Sequence, residues 1–465
     1  MTQVILGSLT LLGVVACLPD WRARFPWLLS LTLALPASGA VPISALPLTP
    51  YLVVALVIGT FVAHQWARGE LPVTGWPGSG LLLGFLGWAA LITLAGPAIF
   101  NGITVLNTSS GSGLVESNSL RYTGSNIAQV AYFAISAIVV IWFAQRERLS
   151  PHLLLPGLYG CMALSTWRLL SEKAGLPFPS ALVDNSTRAY IDEPGNYRLR
   201  GVFTEPSTLA HYSIATLAFC AVMLYARTRG DRTRWLYVAL GVLAGVNIVF
   251  SRSGTGVIGG ALVVVVVVVL IVGRAVRSER GMTGVAITGC AVVVAGLVFS
   301  SAILDYGREV FSTKVDSSSY DQRTFADQFA LSLFGQTRGL GVGLGSNQPS
   351  SLMPMLLSCV GVVGTLLFVV FVVGVVLRSI AAPGGLGPAV VVISLIVTKS
   401  VAGSFLSEPL LMLGIALCVN AAAVAARDRS ADARSVRAPD AGATPAPGPR
   451  PSDSTALPHP PPRAR

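Results

Sequence analysis

The sequence predicts an all-α polytopic membrane protein with about 12–13 transmembrane helices. Only 11% of its 465 residues are charged and 53% are hydrophobic, whereas a soluble domain carries about 25% charged residues. The mean hydropathy is +0.69, and the apolar residues form runs of about 20, the length that spans a bilayer. Lipid is therefore the main solvent of this chain.

The predicted spans follow one another along almost the whole chain. Several prolines interrupt the first three spans, so a count of twelve instead of thirteen stays open. The spans lie roughly at 3–18, 26–45, 48–65, 81–100, 126–144, 152–170, 207–226, 235–250, 256–273, 283–304, 352–377, 386–403 and 408–426.

The net charge of +11 indicates topology and does not indicate nucleic-acid binding. The arginines gather in short clusters between apolar runs: "DWRARF", "AQRERLSPH", "ARTRGDRTRW", "GRAVRSERG" and "LRSI". Short basic loops mark the cytoplasmic side of a membrane protein. If every cluster is cytoplasmic, three longer connections fall on the outer face, at about 101–125, 171–206 and 305–351.

Two regions follow from this pattern. Residues 1–426 form the predicted membrane domain, in which the outer loops 171–206 and 305–351 form the site. Residues 427–465 are rich in Pro, Ala and Arg and predict a disordered cytoplasmic tail. The six cysteines lie within apolar runs, and the chain lacks a Walker motif, His-Glu-x-x-His and clustered His or Cys. No cofactor and no metal are therefore predicted.

The first candidate site is the stretch "RLRGVFTEPSTLAHY", where the chain enters a predicted span. Pro206 suits the first turn of a helix, and Glu205 before it can cap that turn. A cap alone requires neither Arg198 and Arg200 upstream nor His211 about two turns into the span. Charge at a membrane edge is costly. A functional role for this stretch and a simple capping role for Glu205 are therefore both open.

The second candidate site is "SSYDQRTFADQFALSLFGQTRGLGVGLGS" in the last long loop. Phe325, Phe329 and Leu333 recur every four residues and predict an amphipathic helix on the outer leaflet or over the bundle. Arg323 lies in the first turn of that helix, where the dipole disfavours a cation. Arg338 lies at its end, where the dipole favours one.

Two further turns contain basic or flexible residues. Arg252 in "FSRSGTG" falls on the predicted outer face, where a phosphate contact would explain its charge. Glycines alternate at positions 339, 341, 343 and 345. This bare backbone can approach a phosphate, or it can serve as a tight linker to the next span.

Lys399 and Glu408 flank a short outer turn, "SVAGSFLSEP". We expect them to form a structural ion pair across the turn, and an acidic site residue is the alternative.

These segments resemble the O-antigen polymerase and O-antigen ligase superfamily of bacterial membrane glycosyltransferases. "RLRGVFTEPSTLAHY" is similar to the Arg-Gly-x-Phe-x-Glu-Pro-Ser segment of polysaccharide polymerases, and "FSRSGTG" to their Ser- and Arg-containing turn. The loop ending in "RGLGVGLGS", followed by "CVGVVGTLLF", is similar to their glycine loop and Gly-rich helix. The resemblance covers roughly 197–368, and the order of the motifs matters more than any single one.

The resemblance implies a GT-C-like fold in the bacterial plasma (inner) membrane and a metal-independent enzyme whose site faces outside. The implied substrate is a polyprenyl-diphosphate-linked oligosaccharide, such as one on undecaprenyl diphosphate, and the product is a capsule or secreted polysaccharide. A flippase and a chain-length regulator are implied partners, besides the lipid bilayer. No nucleic acid is expected.

Roles transfer only to matching positions. The resemblance implies that Glu205 is the general base and that His211 is an alternative base or a positioning group. The implied diphosphate ligands are Arg200 and Arg323, with Arg252, Arg338 and Arg198 as helpers. Ligases carry a catalytic His in the last large loop, and residues 305–351 contain none. This departure favours a polymerase over a ligase.

A sugar diphosphate carries its own leaving group, so catalysis needs cations for the diphosphate and a base for the acceptor hydroxyl. The planar guanidinium of arginine binds phosphate bidentately. The alternatives are a transporter of lipid-linked glycan and a non-enzymatic assembly component. A transporter places its charges near the bilayer midplane on broken helices of repeated halves, whereas these charges lie at outer ends and no repeat is evident.

Overall fold

The structure, a computed structural model, describes residues 2–41, 48–70, 73–108, 115–185, 198–226, 231–277 and 318–437. The predicted span 283–304 and the first part of the last long loop lie outside these residues. The chain divides into a large unit, Met1–Ala425, and a small one, Ala426–Arg465.

The first half of the chain supplies eight α-helices, two short 3-10 turns at Leu18–Asp20 and Pro151–Leu154, and a pair of strands. The helices are α1 (Thr2–Cys17), α2 (Trp21–Thr32), α3 (Pro50–Ala67), α4 (Ser79–Ile99), α5 (Gly124–Ala144), α6 (Leu155–Ala174), the short α7 (Ser180–Val183) and α8 (Pro206–Tyr225).

The second half contributes six more helices within the described residues. They are α9 (Arg234–Ser251), α10 (Gly254–Arg277), α11 (Ser318–Gln336), α12 (Leu352–Ala381), α13 (Leu386–Val401) and α14 (Pro409–Arg437). In their spanning stretches, α8 and α14 are the most buried: 78% and 89% of the residues lie inside the protein. These two helices form the centre of the bundle.

Ten helical segments among the described residues are long and apolar enough to cross a membrane. The predicted count of about 12–13 differs for three reasons. One predicted span lies outside the described residues, α13 has only 16 residues, and the first two predicted spans form one helical segment, Thr2–Thr32. The chain is a multi-pass α-helical membrane protein.

The second predicted span, 26–45, is wrong. Its helix α2 ends at Thr32, and the chain then turns through residues that include Pro36 and Gly39. The residue before a proline is disfavoured in helical conformation. Ser38 Oγ donates instead to the carbonyl of Val183, 2.8 Å away, so this segment packs against the end of α7.

A β-hairpin lies where a plain outer loop was predicted, at 101–125. Its strands, β1 (Thr104–Thr108) and β2 (Val115–Ser119), pair antiparallel. The hairpin is bound to the loop after α11: Gln348 N donates to Leu106 O over 2.8 Å, and Leu106 N donates to Asn347 Oδ1 over 3.0 Å. It therefore fixes the end of the glycine-containing loop.

The alternating glycines are packing residues. All four have positive φ, between 76° and 93°, and three meet neighbouring backbone: a Cβ on Gly343 would lie 2.7 Å from Thr93 Cα. At least three of the four N–H groups are occupied. Gly339 N donates to Phe334 O over 2.9 Å and Gly343 N to Cys359 O over 2.8 Å, and Gly341 N donates to Thr337 Oγ1 over 3.2 Å. Of the two predicted roles, the tight linker fits the structure and the phosphate cradle does not.

We name residues 339–345, which carry the four glycines, the glycine loop. Helix α12 is interrupted where the glycine loop packs against it. Gly361 has φ 67° and ψ −169° inside the helix. The loop provides hydrogen bonds at the break, since Val362 N donates to Gly339 O and Val342 N to Ser358 O. Backbone groups in a membrane protein must be satisfied by protein where lipid surrounds them, and the loop does this here.

Two of the basic clusters, those around Arg22 and Arg146, meet at one end of the bundle. Arg146, just after α5, donates through Nη2 to Arg22 O over 2.8 Å, and Asn420 Nδ2 donates to Glu147 O over 3.0 Å. The start of α5 contacts the glycine loop through Ser125. A helix of this length spans about 31 Å, which separates the basic end from the glycine loop. Helix α14 extends to Arg437, past the predicted domain boundary at 426.

Candidate functional site

Glu205 stands at the beginning of α8, directly before Pro206. Its backbone is extended, with φ −137° and ψ 146°, and its side chain makes no capping hydrogen bond. Instead, Ser207 Oγ donates to Glu205 Oε2 over 2.8 Å. The carboxylate thus accepts from a side chain and not from the backbone of the first turn, so the simple cap interpretation does not account for it.

Arg323 lies beside Glu205. The two come from distant parts of the chain, yet Arg323 Nη2 is 3.6 Å from Glu205 Oε2. Both side chains stay partly accessible, at 32% for Arg323 and 39% for Glu205. The structure thus unites the first and second candidate sites at the mouth of α8.

Helix α11 carries Arg323 and packs over α12. Of its two predicted placements, on the outer leaflet or over the bundle, this is the second. On this helix Ala326, Ala330 and Leu333 are buried, whereas Phe325 is 58% exposed. Small residues let helices approach closely, so the two alanines form the contact. Of the predicted apolar stripe, Leu333 is buried, Phe329 is half-buried and Phe325 is exposed.

Asp327, one turn after Arg323, anchors α11 to the beginning of α12. Its Oδ1 accepts from Ser350 N over 2.7 Å and from Ser351 N over 3.1 Å. Its Oδ2 accepts from Ser351 Oγ over 2.7 Å. Sequence reasoning gave Asp327 no role, because these partners lie in a loop whose path the residue pattern does not reveal.

His211 lies deeper in α8 and is 2% exposed. Its ring contacts Gly403, where an added Cβ would lie 3.2 Å from His211 Cε1 and 3.3 Å from Lys399 Cγ. Within the described residues, His211 Nε2 has no hydrogen-bond partner. Lys399 forms an ion pair with Glu408, which confirms the expected pairing.

Arg200 lies apart from the accessible site. It is 4% exposed, and it donates to Asp184 from Nη1 and Nη2, each over 2.9 Å. Arg168 also contacts Asp184, at 2.9 Å. Burial raises the pKa of Asp184, but the hydrogen bonds and charges of Arg200 and Arg168 lower it more, so its pKa falls below the ordinary value. This contact argues for a structural role of Arg200 instead of the expected diphosphate contact.

Arg252 and Arg198 belong to two segments that contact each other close to α8. Leu199 N donates to Phe250 O over 2.8 Å, which joins the two segments. Arg252 is exposed and has a left-handed backbone, with φ 44°. The turn stays close to α8, because a Cβ on Gly256 would lie 3.2 Å from Ala210 Cβ. Arg198 is partly buried beside this junction.

Arg338 does not join this group. It follows the last residue of α11 and is exposed, with φ 50°. The helix separates it from Arg323 by about 20 Å, at 1.5 Å per residue. One diphosphate cannot contact both side chains, so the expected helper role of Arg338 disagrees with the geometry.

A cavity of about 70 Å³ lies between the glycine loop and the connection from α13 to α14. No charged side chain lines it. Its lining residues are Gln129, Phe133, Leu344, Gly345, Asn347, Gln348, Met355, Cys359, Ser404, Phe405, Leu406 and Ser407. Amides and hydroxyls beside aromatic rings suit an uncharged polar ligand.

Across the described part of the chain, no three His, Cys, Asp or Glu residues group as metal ligands. Metal independence remains a prediction. A comparison with protein-family models finds no match, and a comparison with curated proteins finds no significant match.

Proposed function

We propose that this protein is a membrane glycosyltransferase that joins polyprenyl-diphosphate-linked oligosaccharide units into a surface or secreted polysaccharide. The observation that carries the proposal is the contact between Arg323 and Glu205 at the mouth of α8. It brings a phosphate-binding cation and a candidate base to one accessible place at the end of two helices.

The weakness of this contact is useful for catalysis. A partly exposed ion pair contributes only about 0–1 kcal/mol, and the 3.6 Å separation is long for a hydrogen bond. An incoming diphosphate, with its greater negative charge, competes for Arg323 and separates it from Glu205. Substrate binding would thereby release the base that the reaction needs.

The proposed reaction is a displacement at the anomeric carbon of one lipid-linked unit. Glu205 takes the proton from a sugar hydroxyl of the second unit as that oxygen bonds to the anomeric carbon. The bond from this carbon to the diphosphate oxygen breaks, and its electron pair leaves with the diphosphate. Arg323, together with Arg252 from the turn close to α8, stabilises the departing negative charge.

His211 is the second candidate base. It lies six residues below Glu205, about 9 Å along the helix axis, and it is buried. We assign it to the acceptor side of the site, where its ring can orient the attacking sugar. Glu205 is the better base because a substrate reaches it directly.

The proposed location is the plasma membrane of a bacterium, with the site outside and the C-terminal tail in the cytoplasm. The support is the contact between the basic clusters around Arg22 and Arg146, at the opposite end of α5 from the glycine loop. Lys- and Arg-rich short loops are retained in the cytoplasm, and the site end then faces outward.

A transporter of lipid-linked glycan is the second candidate, and the break of α12 at Gly361 favours it. Transporters use broken helices at their substrate sites. Here the glycine loop occupies the backbone groups at the break, which weakens this alternative. Transfer of the glycan to a different acceptor, as in ligases, would use the same residues.

The test uses the full chain in nanodiscs with a polyprenyl-diphosphate oligosaccharide, and products are separated on a gel. Wild type should yield a ladder of longer lipid-linked chains. Glu205→Gln should lower the elongation rate by about 100- to 10,000-fold, and Arg323→Ala by about 100-fold. Arg338→Ala, just after the end of the same helix, is the matched control and should elongate at the wild-type rate.

Three results would contradict the proposal. Wild type that moves substrate between leaflets without elongating it would identify a transporter. Full activity of Glu205→Gln would show that Glu205 is not the general base. Equal losses in Arg323→Ala and Arg338→Ala would show that the effect is not local to the mouth of α8.

A further inference from the structure

The connection between α13 and α14 is held by a buried ion pair. Lys399 and Glu408 are 3% and 8% exposed in their side chains. Lys399 Nζ also donates to Phe405 O over 2.9 Å, in the middle of the connection. We name residues 402–407 the acceptor loop and the Lys399–Glu408 pair its latch.

The acceptor loop contacts both halves of the proposed site. Gly403 N donates to Ser350 O over 2.6 Å, and Ser350 N donates to Asp327 on the helix of Arg323. Gly403 also lies against the ring of His211. The loop therefore links His211 to the anchor of α11, and the two residues of the latch flank the loop in the sequence.

Several polar atoms around the latch lack hydrogen-bond partners within the described residues. They are Glu408 Oε1, Ser407 Oγ and His211 Nε2, all buried. Buried polar atoms without partners are rare and destabilising. A purely structural ion pair can usually be replaced by apolar residues without loss of stability. The combination of a buried ion pair with these three polar atoms points to a ligand whose hydroxyl groups hydrogen-bond to them.

A second observation, the similarity between the beginnings of α8 and α14, supports a ligand at this place. Glu408 precedes Pro409 at the start of α14, as Glu205 precedes Pro206 at the start of α8. The two helices adjoin, since Leu410 N donates to Tyr212 Oη over 3.4 Å. Two Glu-Pro helix starts thus lie side by side, one accessible and paired with Arg323, the other buried and paired with Lys399.

We propose that the Lys399–Glu408 latch is a positioning element that holds the acceptor loop against His211, so that Glu408 Oε1 and His211 receive a hydroxyl group of the acceptor sugar. The identity of this ligand rests on the proposed function; the latch itself does not. Lys399 is a positioning residue, and Glu408 both positions the loop and binds the acceptor. Neither is the base, because the proton transfer and the bond changes occur at Glu205.

The first experiment replaces both charges with apolar residues, Lys399→Met with Glu408→Leu, in the full chain in nanodiscs. The thermal unfolding midpoint should stay within about 3 °C of wild type, because apolar replacement of a buried pair is tolerated. The kcat of elongation should fall by about tenfold to 100-fold through misplacement of the acceptor. Lys173→Met, the same change at an exposed lysine, is the matched control and should keep the wild-type kcat.

The second experiment follows the imidazole of His211 by solid-state NMR of histidine-labelled protein, without any substrate. The chain has only 4 histidines, and His211→Asn identifies the resonance. The paired replacement should shift the His211 resonance and leave those of His64 and His152 unchanged. Lys173→Met should shift none of them.

The outcomes separate this inference from the proposed function. A kcat within about twofold of wild type, or an unmoved His211 resonance, would overturn the latch. A moved resonance in a protein whose wild type does not elongate glycan would support the latch and count against the polymerase. A large loss of thermal stability in the paired replacement would show that the ion pair only stabilises the fold, and this would overturn the inference.

Discussion

Arg200 donates two parallel hydrogen bonds to Asp184, each 2.9 Å long, and both side chains are largely buried. This pair fixes the segment that leads into α8, since Arg200 Nη1 also donates to Phe203 O over 3.1 Å. Glu205 follows two residues later. Arg200 therefore acts on the site through the backbone that positions Glu205.

We predict that Arg200→Ala lowers the stability of the whole chain. Removal of one partner of a buried ion pair leaves an uncompensated charge and costs about 3–5 kcal/mol. The measurement is the thermal unfolding midpoint in nanodiscs. Arg121→Ala, at an exposed arginine, should leave the midpoint unchanged. A stable Arg200→Ala protein with impaired substrate binding would instead support the direct diphosphate contact expected from the resemblance.

The same pair predicts an acid-sensitive contribution to stability. The pKa of Asp184 is lower in the folded chain than its ordinary value of 3.8, because the hydrogen bonds and charges of Arg200 and Arg168 outweigh the effect of burial. A carboxyl with a depressed folded pKa contributes stability that is fully present above the unfolded pKa. This contribution is lost as the pH falls through the folded pKa.

Unfolding midpoints measured from pH 6 down to about pH 2 should show this loss. Asp184→Asn should reduce the slope in the acidic part of the range, since the amide does not titrate. Asp321→Asn, at an exposed aspartate, is the control and should retain the wild-type slope. An unchanged slope in Asp184→Asn would show that other carboxyl groups cause the acid sensitivity.

Local signals predicted the parts of the site that lie close together in sequence. Pro206 predicted the start of α8, and the helix begins at that residue. The position of Glu205 at the helix mouth followed from this signal alone. A helix from about Ser319 to Arg338 was also predicted from its periodicity, and α11 lies at Ser318–Gln336. The pairing of Lys399 with Glu408 was predicted from their short separation.

Contacts between distant segments were not predictable in this way. Asp184 lies 16 residues before Arg200 in the same outer connection. The resemblance implied a diphosphate ligand for Arg200, and nothing in the residue pattern identified Asp184 as its protein partner. The β1–β2 hairpin was not predicted, because "TVLNT" and "VESNS" lack a clear apolar alternation. The contact face of α11 was not predicted, because periodicity identifies large apolar residues, whereas the helix contact uses Ala326 and Ala330.

We predict that Asp327→Ala loosens α11 without unfolding the bundle. The substitution removes the acceptor of three hydrogen bonds, from Ser350 N, Ser351 N and Ser351 Oγ. Hydrogen bonds to a charged group contribute about 1.5–3 kcal/mol each. Amide hydrogen exchange across α11 should become faster, while exchange in α8 stays slow. Asp321→Ala, in the first turn of the same helix, should exchange like wild type.

The glycine loop offers a test by a matched pair of substitutions. Gly343 has φ 93°, and a Cβ there would lie 2.7 Å from Thr93 Cα, a backbone atom that cannot move aside without displacing α4. Gly343→Ala should therefore prevent correct packing of the loop against α4 and α12. Gly335→Ala adds the same methyl group inside α11, where no atom lies within 4 Å. It should stabilise the helix by about 0.5–1 kcal/mol. Unfolding midpoints and yields in nanodiscs would distinguish the two, and a Gly343→Ala protein as stable as Gly335→Ala would refute the packing role.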